Sequence, residues 1–299
     1  MKPLEINRVF PFQSFEVSMN DRMRGKVVVI TGATSGIGAV AAEKLAAMGA
    51  RILVIARDRT RGEATLKRLR ERAPGVAHHV YNADLSLLAE MKRVAHEIAA
   101  AEPRIDVLIN NAGALFGKRE MTSDGLESTF ATNHMSYFVV TQQLRERLIN
   151  SAPARVINTS SEAHRGMKLD FNDLQAAHSY KAFQAYGRSK LCNILFTREL
   201  ARQLSSTGVT ANCLHPGFVN TRFGDRSKGA LSLLLRVAKK FAISPEKGAE
   251  TIVFLASAKE VAGSTGEYFY QCQPKIASIE ALSDDDAKRL WEESARLAR

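Results

Sequence analysis

Apolar positions along this chain fall into short unbroken runs, separated by stretches in which they recur at helical spacing. "KVVVIT" (26–31) is one such run; it leads through glycine-rich sequence into "AVAAEKLAAMG", a helical pattern that stops at Gly49. "RILVIA" (51–56) predicts a second strand, and a charged helix over about 60–72 follows, ended by Pro74 and Gly75. "HHVYNADL" predicts a third strand, "LLAEMKRVAHEIAAAE" a third helix and "IDVLINNAG" a fourth strand. A long helix over about 126–149, strand five in "ARVINTSS", a long loop, a helix over about 184–205 and strand six in "VTANCLHPG" come next. A variable region leads to a helix over about 245–258 and strand seven in "GEYFY". The tail "SDDDAKRLWEESARLAR" has Ser283 as an N-cap, acids in its first turn and a basic end, which describes a well-capped helix. The strand runs are too short for helices and apolar throughout, as strands buried on both faces must be. Their alternation with helices predicts an α/β fold: one doubly wound parallel sheet of about seven strands with helices on both faces. No repeat or low-complexity linker divides the chain, so one domain over 25–299 is expected behind an N-terminal arm, 1–24.

The totals add limits. With 299 residues, 45% of them hydrophobic, the chain can bury a sizeable core. No apolar run reaches the roughly 18 residues of a membrane-spanning helix. The opening stretch carries Pro3 and Pro11 and lacks the apolar core of a signal peptide; an arm lying on the surface through Phe10, Phe12 and Phe15 is expected. Cys192, Cys213 and Cys272 are far apart and form no CxxC, which predicts free thiols in a reducing, cytoplasmic setting. The net charge of +11, from 42 Lys+Arg against 31 Asp+Glu, raises the question of nucleic acid. The charges are scattered and no RNA-binding motif accompanies them, so solvated faces are the simpler reading and no nucleic-acid partner is expected. The histidines show no metal-ligand spacing.

In "VVVITGATSGIG", Gly32, Gly36 and Gly38, with Ser35 and Ile37 among them, sit between the first strand and the first helix. Glycines allow a tight turn and close backbone approach, and a helix N-terminus offers free N–H groups and partial positive charge, which together suit a bound phosphate. The spacing is GxxxGxG rather than GxGxxG. At the end of the second strand, an acid would bind the 2′-hydroxyl of NAD. Here Ala56 is followed by Arg57, which suits the 2′-phosphate of NADP, with Arg59 as support. Asp58 keeps NAD open, since a register one residue later would put an acid there.

Seven segments in order, "TGATSGIG", "NADL" (82–85), "NNAG" (110–113), "ATNHMSYF" (131–138), "INTSS" (157–161), "YGRSK" (186–190) and "HPGFVNT" (215–221), resemble the short-chain dehydrogenase/reductase family. "RVINTSSEAHRG", "LDFNDLQ" and "AYGRSKLCNILFTRELARQL" are most similar to the retinol dehydrogenase-like NADP-dependent reductases. The resemblance implies a Rossmann-type fold that passes a hydride between NADP(H) and a carbonyl or alcohol carbon. It implies that Asp84 and Leu85 flank the adenine and that Asn111, Ala112 and Gly113 line the ribose side. Pro216 and Gly217 would turn the chain near the nicotinamide, the Val219 backbone would meet its carboxamide, and Thr221 would reach a phosphate. His215 reads as a structural residue at a strand end.

The resemblance also implies a catalytic tetrad of Asn133, Ser161, Tyr186 and Lys190. Tyr186 and Lys190 are four apart, so on a helix they share a face. A free tyrosine has a pKa near 10; an adjacent ammonium would lower it and fit it for acid–base work. Tyr180 has Gln184 at that spacing and belongs on the loop before the helix. Ser161 is the expected substrate donor, with Ser160 its rival, and Asn133 is expected to hold a water that relays protons toward Lys190. Residues 222–244 fall where the family carries a substrate lid; an amphipathic surface for a membrane or partner, and an ordinary packed helix, are the alternatives. Met167, Leu169, Phe171, Phe116 and Phe223 are candidate pocket walls. The expected activity is reduction of a hydrophobic aldehyde or ketone, with homo-oligomeric assembly left open; a catalytically weak dinucleotide-binding regulator or scaffold is the alternative.

Overall fold

Valine and isoleucine side chains too apolar to face water form the centre of a single sheet. The structure, a computed structural model, describes residues 22–217 and 243–299. Nearly all of the expected arm, Val219, Thr221, Phe223 and the lid as far as 242 lie outside the described residues.

The strands are β1 Val27–Thr31, β2 Arg51–Ala56, β3 His79–Asn82, β4 Val107–Asn110, β5 Ala154–Thr159, β6 Val209–Leu214, β7 Tyr268–Tyr270 and β8 Gln273–Pro274. They lie in the order β3-β2-β1-β4-β5-β6-β7-β8. All neighbours are parallel except β7 and β8. In β1, Val28 pairs with Ile52 and Val107, and Ile30 with Val54 and Ile109, so the middle of the sheet is a block of fully buried branched side chains. Strand order reverses between β1 and β4, and an open parallel sheet binds ligands at that crevice, beyond the carboxyl ends of its strands.

Helices α1 (Gly36–Ala47), α2 (Arg59–Arg72) and α6 (Pro245–Ser257) cover one face. On the other lie α3 (Leu88–Ala101), α4 (128–150), α5 (Ala182–Gln203) and α7 (Asp284–Leu297). Ser283 caps α7 by accepting from Asp286 N, and Ser244 caps α6 by accepting from Lys247 N. Trp291 of α7 stacks on Phe196 of α5 at 5.9 Å and meets Phe138 of α4 edge-on at 5.2 Å. Leu191, Ile194, Leu195 and Phe196 thus anchor α5 in the core. Among the described residues no helix is long and apolar enough to cross a membrane.

Two features depart from the sequence reading. Among the described residues the sheet has eight strands rather than about seven: Gln271 (φ 49°) and Cys272 (φ 61°) form a two-residue reversal that folds β8 back on β7. Hairpins of this kind need positive φ at both central residues and are ordinarily signalled by Asn-Gly or Asp-Gly, which is absent here. The long helix is also not uniform. Ala131–Met135 forms a π-helical turn between Ser128–Phe130 and Ser136–Asn150, and Asn133 lies inside it.

Candidate active site

The glycine turn is held against β4 by polar contacts. Thr31 Oγ1 accepts from Asn111 N and Ala112 N, each at 2.9 Å. Asn111 Nδ2 donates to the carbonyls of Thr31 and Gly32, each at 3.2 Å. A Cβ at Gly32 would lie 2.7 Å from Ala112 Cα, and one at Gly38 would strike Asn111 Nδ2 and come within 2.5 Å of Gly32 O. These two glycines are therefore required by the protein's own packing. Gly36 opens α1 at φ 59°, and Ser35 before it is exposed and makes no side-chain cap. The first turn of α1 contains no acid, so its uncapped N–H groups form a cradle that fits a dinucleotide phosphate. Ile37 packs partly against the core.

Arg57 is exposed directly after β2. The neighbouring acid is engaged: Asp58 caps α2, its carboxylate accepting from Arg61 N at 2.8 Å. Arg59 pairs with Glu63 at 3.1 Å. Asp84 accepts from Ser86 N at 3.0 Å and Ser86 Oγ at 2.8 Å, which shapes the turn after β3 and buries Leu85. Gly113 is exposed, and a Cβ there would stand 3.4 Å from both Asn133 Oδ1 and Lys190 Nζ, in ordinary contact. The residues at the ends of β1, β2 and β4 thus line one crevice with Lys190 at its inner edge. Pro216 and Gly217 follow β6, with Gly217 at φ 86° and its N–H donated to His215 Nδ1 at 3.2 Å.

The end of β5 distinguishes its two serines. Ser160 is buried and its hydroxyl donates to Lys190 O at 2.8 Å, so it ties β5 to α5. Ser161 is only partly buried, its Oγ accepts from Ala163 N at 3.2 Å, and its side chain hydrogen-bonds Tyr186. Tyr186 and Lys190 share a face of α5, as their spacing predicts, with Nζ 5.5 Å from the Tyr186 ring centroid. Lys190 Nζ also donates to Thr159 O at 3.1 Å and stands 5.8 Å from the ring of fully buried Tyr137. Tyr180 precedes α5 and bonds Phe116 O at 2.9 Å and Thr129 Oγ1 at 3.1 Å, outside this group.

Burial dominates both titrating groups. It pushes Tyr186 up to about 12, against a lowering by the Ser161 hydrogen bond. It pushes Lys190 down to about 7. In the free protein the direction of both shifts is thus set by removal from water, which disfavours the phenolate of Tyr186 and the ammonium of Lys190.

Asn133 is fully buried. Its Nδ2 donates to Ala114 O and to Ser189 Oγ, each at 2.9 Å, and its Oδ1 accepts from Ala114 N at 2.8 Å. Ser189 Oγ donates in turn to Tyr186 O at 2.7 Å. The asparagine side chain thus braces α5 and the loop after β4. Phe171 is covered by Arg289, 4.4 Å over its ring, and packs on the core with Met167 and Leu169.

The sequence reading gave Asn110 a role in holding neighbouring strands together but missed Gly187 and Asn158 as supports. Gly187, beside Tyr186, lets α5 close on the turn after β5: a Cβ would lie 2.5 Å from Ala163 O and 2.8 Å from Met167 Cγ. Asn110 Nδ2 donates to Thr141 Oγ1 at 2.9 Å and Asn158 Oδ1 at 2.8 Å, and Asn158 Nδ2 donates to Thr197 Oγ1 at 2.9 Å. That buried chain locks β4 and β5 to α4 and α5. A glycine inside a helical pattern and asparagines ending two apolar runs were the available signals.

The family model for short chain dehydrogenase matches residues 26–231. Mouse retinol dehydrogenase 12 is 41% identical over 278 residues, covering 93% of this chain and 88% of that protein. Among solved structures, an uncharacterised protein from Mycobacterium paratuberculosis superposes with a TM-score of 0.73 at 32% identity, over 92% of this chain and 94% of that one. The NADP active-site complex of Pseudomonas aeruginosa RhlG does so with a TM-score of 0.67 at 27% identity, over 89% of this chain and 98% of that one. The crevice at the sheet's reversal, the Ser161–Tyr186–Lys190 group beside it and these likenesses agree: the chain belongs to the short-chain dehydrogenase family and is of its retinol dehydrogenase-like type.

Proposed function

We propose that the protein reduces a hydrophobic aldehyde or ketone with NADPH. One observation carries the reading: Ser161 just after β5 and Tyr186 and Lys190 from α5 converge beside the crevice where β1 and β4 part. The uncapped N-terminus of α1 and the exposed Arg57 fit the diphosphate and the 2′-phosphate of the cofactor. The NADP complex of RhlG supports that choice. When bound, NADPH supplies the hydride that adds to the carbonyl carbon.

The chain's own residues handle the oxygen. Tyr186, pushed up to about 12, is protonated at neutral pH, the form that can give a proton. Its O–H donates to the carbonyl oxygen as negative charge develops there. Ser161 Oγ accepts from Ala163 N, which holds the hydroxyl beside Tyr186, and its own O–H can turn from the tyrosine to the substrate oxygen as a second donor. Lys190, in its ammonium form, offsets the charge left on Tyr186 and reaches the ribose side of the crevice. Asn133 keeps the tyrosine's turn of helix in place through Ser189. The retinol dehydrogenase likeness and the apolar composition of 222–244 support a hydrophobic substrate.

The test is an NADPH-oxidation assay over aldehydes, ketones and quinones, repeated with NADH and with Tyr186→Phe and Ser161→Ala. Turnover that Y186F abolishes while NADPH binding persists supports the reading. Turnover unchanged in Y186F refutes the mechanism, and NADPH binding with no turnover across the panel favours a regulator.

A further inference from the structure

The geometry points to His164 as a positioning residue for Ser161: its imidazole fixes the Ser161 peptide and ties it to Ser278 of the C-terminal segment. This rests on the reading of Ser161 as the second donor to the substrate oxygen. His164 ends the short turn Glu162–His164 that follows β5, and it is fully buried. An apolar side chain would fill such a site without further cost, whereas a buried imidazole needs a partner for each nitrogen. His164 has both. Its Nδ1 lies 2.7 Å from Ser161 O, and its Nε2 accepts from Ser278 N at 3.1 Å. Acceptance at Nε2 fixes the tautomer, so the hydrogen sits on Nδ1 and is donated to Ser161 O.

Ser161 O also accepts from His164 N at 3.2 Å. Two donors on one carbonyl set the plane of the peptide that follows Ser161. That plane carries the start of the turn whose Ala163 N–H is donated to Ser161 Oγ. Rotation of the peptide would therefore swing the hydroxyl away from Tyr186. The turn is enclosed on other sides as well. Gly187 of α5 lies against Ala163 O, and the Tyr268 ring meets His164 edge-on at 5.2 Å. Glu162 is held by Lys275 Nζ at 3.1 Å and by Arg165. Lys275 and Ser278 belong to the same stretch, so the segment after β8 grips the turn at two points.

Three substitutions separate the two imidazole contacts. Asn places an N–H near the position of Nδ1, and Gln places an acceptor near that of Nε2. In the full-length protein with NADPH and an active carbonyl substrate, His164→Ala and His164→Gln should lower kcat by about 100-fold, the scale of a misplaced reacting group. The KM for NADPH should not move, and His164→Asn should restore most of kcat. Thermal midpoints recorded alongside should not track kcat, since Gln and Asn both keep a polar group in the site. Parental kcat in H164Q, or no recovery in H164N relative to H164Q, would overturn the proposal even if H164A fails to fold. Ser161→Ala with parental activity would remove the proposed role of Ser161 as well; an inactive S161A beside unaffected His164 variants would remove only the role of His164.

Discussion

Lys190 Nζ donates to the main-chain oxygen of Thr159 while standing 5.5 Å from the centre of the Tyr186 ring. The lysine is thus placed by the backbone of β5 and acts on the tyrosine through space. Burial brings it down to about 7, so in the free enzyme it titrates in the neutral range. The pH profile of kcat/KM, which reports the free enzyme, should carry an ionisation near 7. Lys190→Arg stays charged throughout, and that ionisation should be missing from its residual activity. A profile for K190R that matches the parent would show that another group titrates there.

The same shift makes a stability prediction. A lysine whose pKa is lower folded than unfolded favours the folded state least below its folded value. Native stability therefore falls as pH drops from the unfolded value near 10.5 to about 7 and is not reduced further by this group below that. Lys190→Met should be more stable than the parent at pH 7 in denaturant titrations, with the gap closing toward pH 10.5. A gap that widens with pH would mean that the Thr159 contact outweighs desolvation.

His134, next to Asn133, is fully buried, with Nε2 2.8 Å from Ser294 Oγ of α7. Burial depresses it to about 3. A group with a depressed folded pKa contributes stability that is present above its unfolded value near 6.5 and lost as pH falls toward 3. The loss amounts to at most about 1.4 kcal/mol per pH unit for one proton. His134→Gln should flatten the pH dependence of unfolding by one proton in that window. Equal slopes in parent and variant would assign the acid sensitivity to other groups.

Gly187→Ala sets two effects against each other. Helix propensity favours alanine by roughly 0.5–1 kcal/mol. The added Cβ, 2.5 Å from Ala163 O, meets backbone that cannot rotate away, and overpacking of this kind costs about 1–3 kcal/mol. The clash should win. G187A should unfold at lower denaturant, and its kcat should fall by more than about tenfold, because the turn behind Ser161 is displaced. A stabilised G187A would show that the turn yields freely.

Arg57→Ala tests cofactor choice. A charge-assisted hydrogen bond contributes roughly 1.5–3 kcal/mol, so the KM for NADPH should rise about 10- to 100-fold. The KM for NADH should hardly change. An equal effect on both would place Arg57 away from the 2′-phosphate.

The succession of strands and helices along the chain and the shared face of Tyr186 and Lys190 were legible in the sequence because each follows from a period: apolar runs for the strands, a spacing of four for the pair. The turn chemistry was less so. Gln271 and Cys272 adopt positive φ without glycine or asparagine, so the hairpin that adds β8 left no signal. The π-turn at Ala131–Met135 has no period distinct from the helix around it. The titration of Lys190 depends on how far the core closes over it, which no local pattern encodes. Asp58 was ambiguous as sequence and is explained by the geometry of an N-cap.

The Thr159 carbonyl accepts from Lys190 Nζ at 3.1 Å, Asn193 Nδ2 at 3.2 Å and Tyr137 OH at 3.5 Å. Three donors from two helices thus converge on one oxygen that belongs to no side chain. Exchanging residue 159 would leave that oxygen in place, and exchanging any donor would leave the other two. The junction on which the lysine depends is therefore insulated from point mutation, and its neighbours can vary in evolution while the geometry beneath the tyrosine persists.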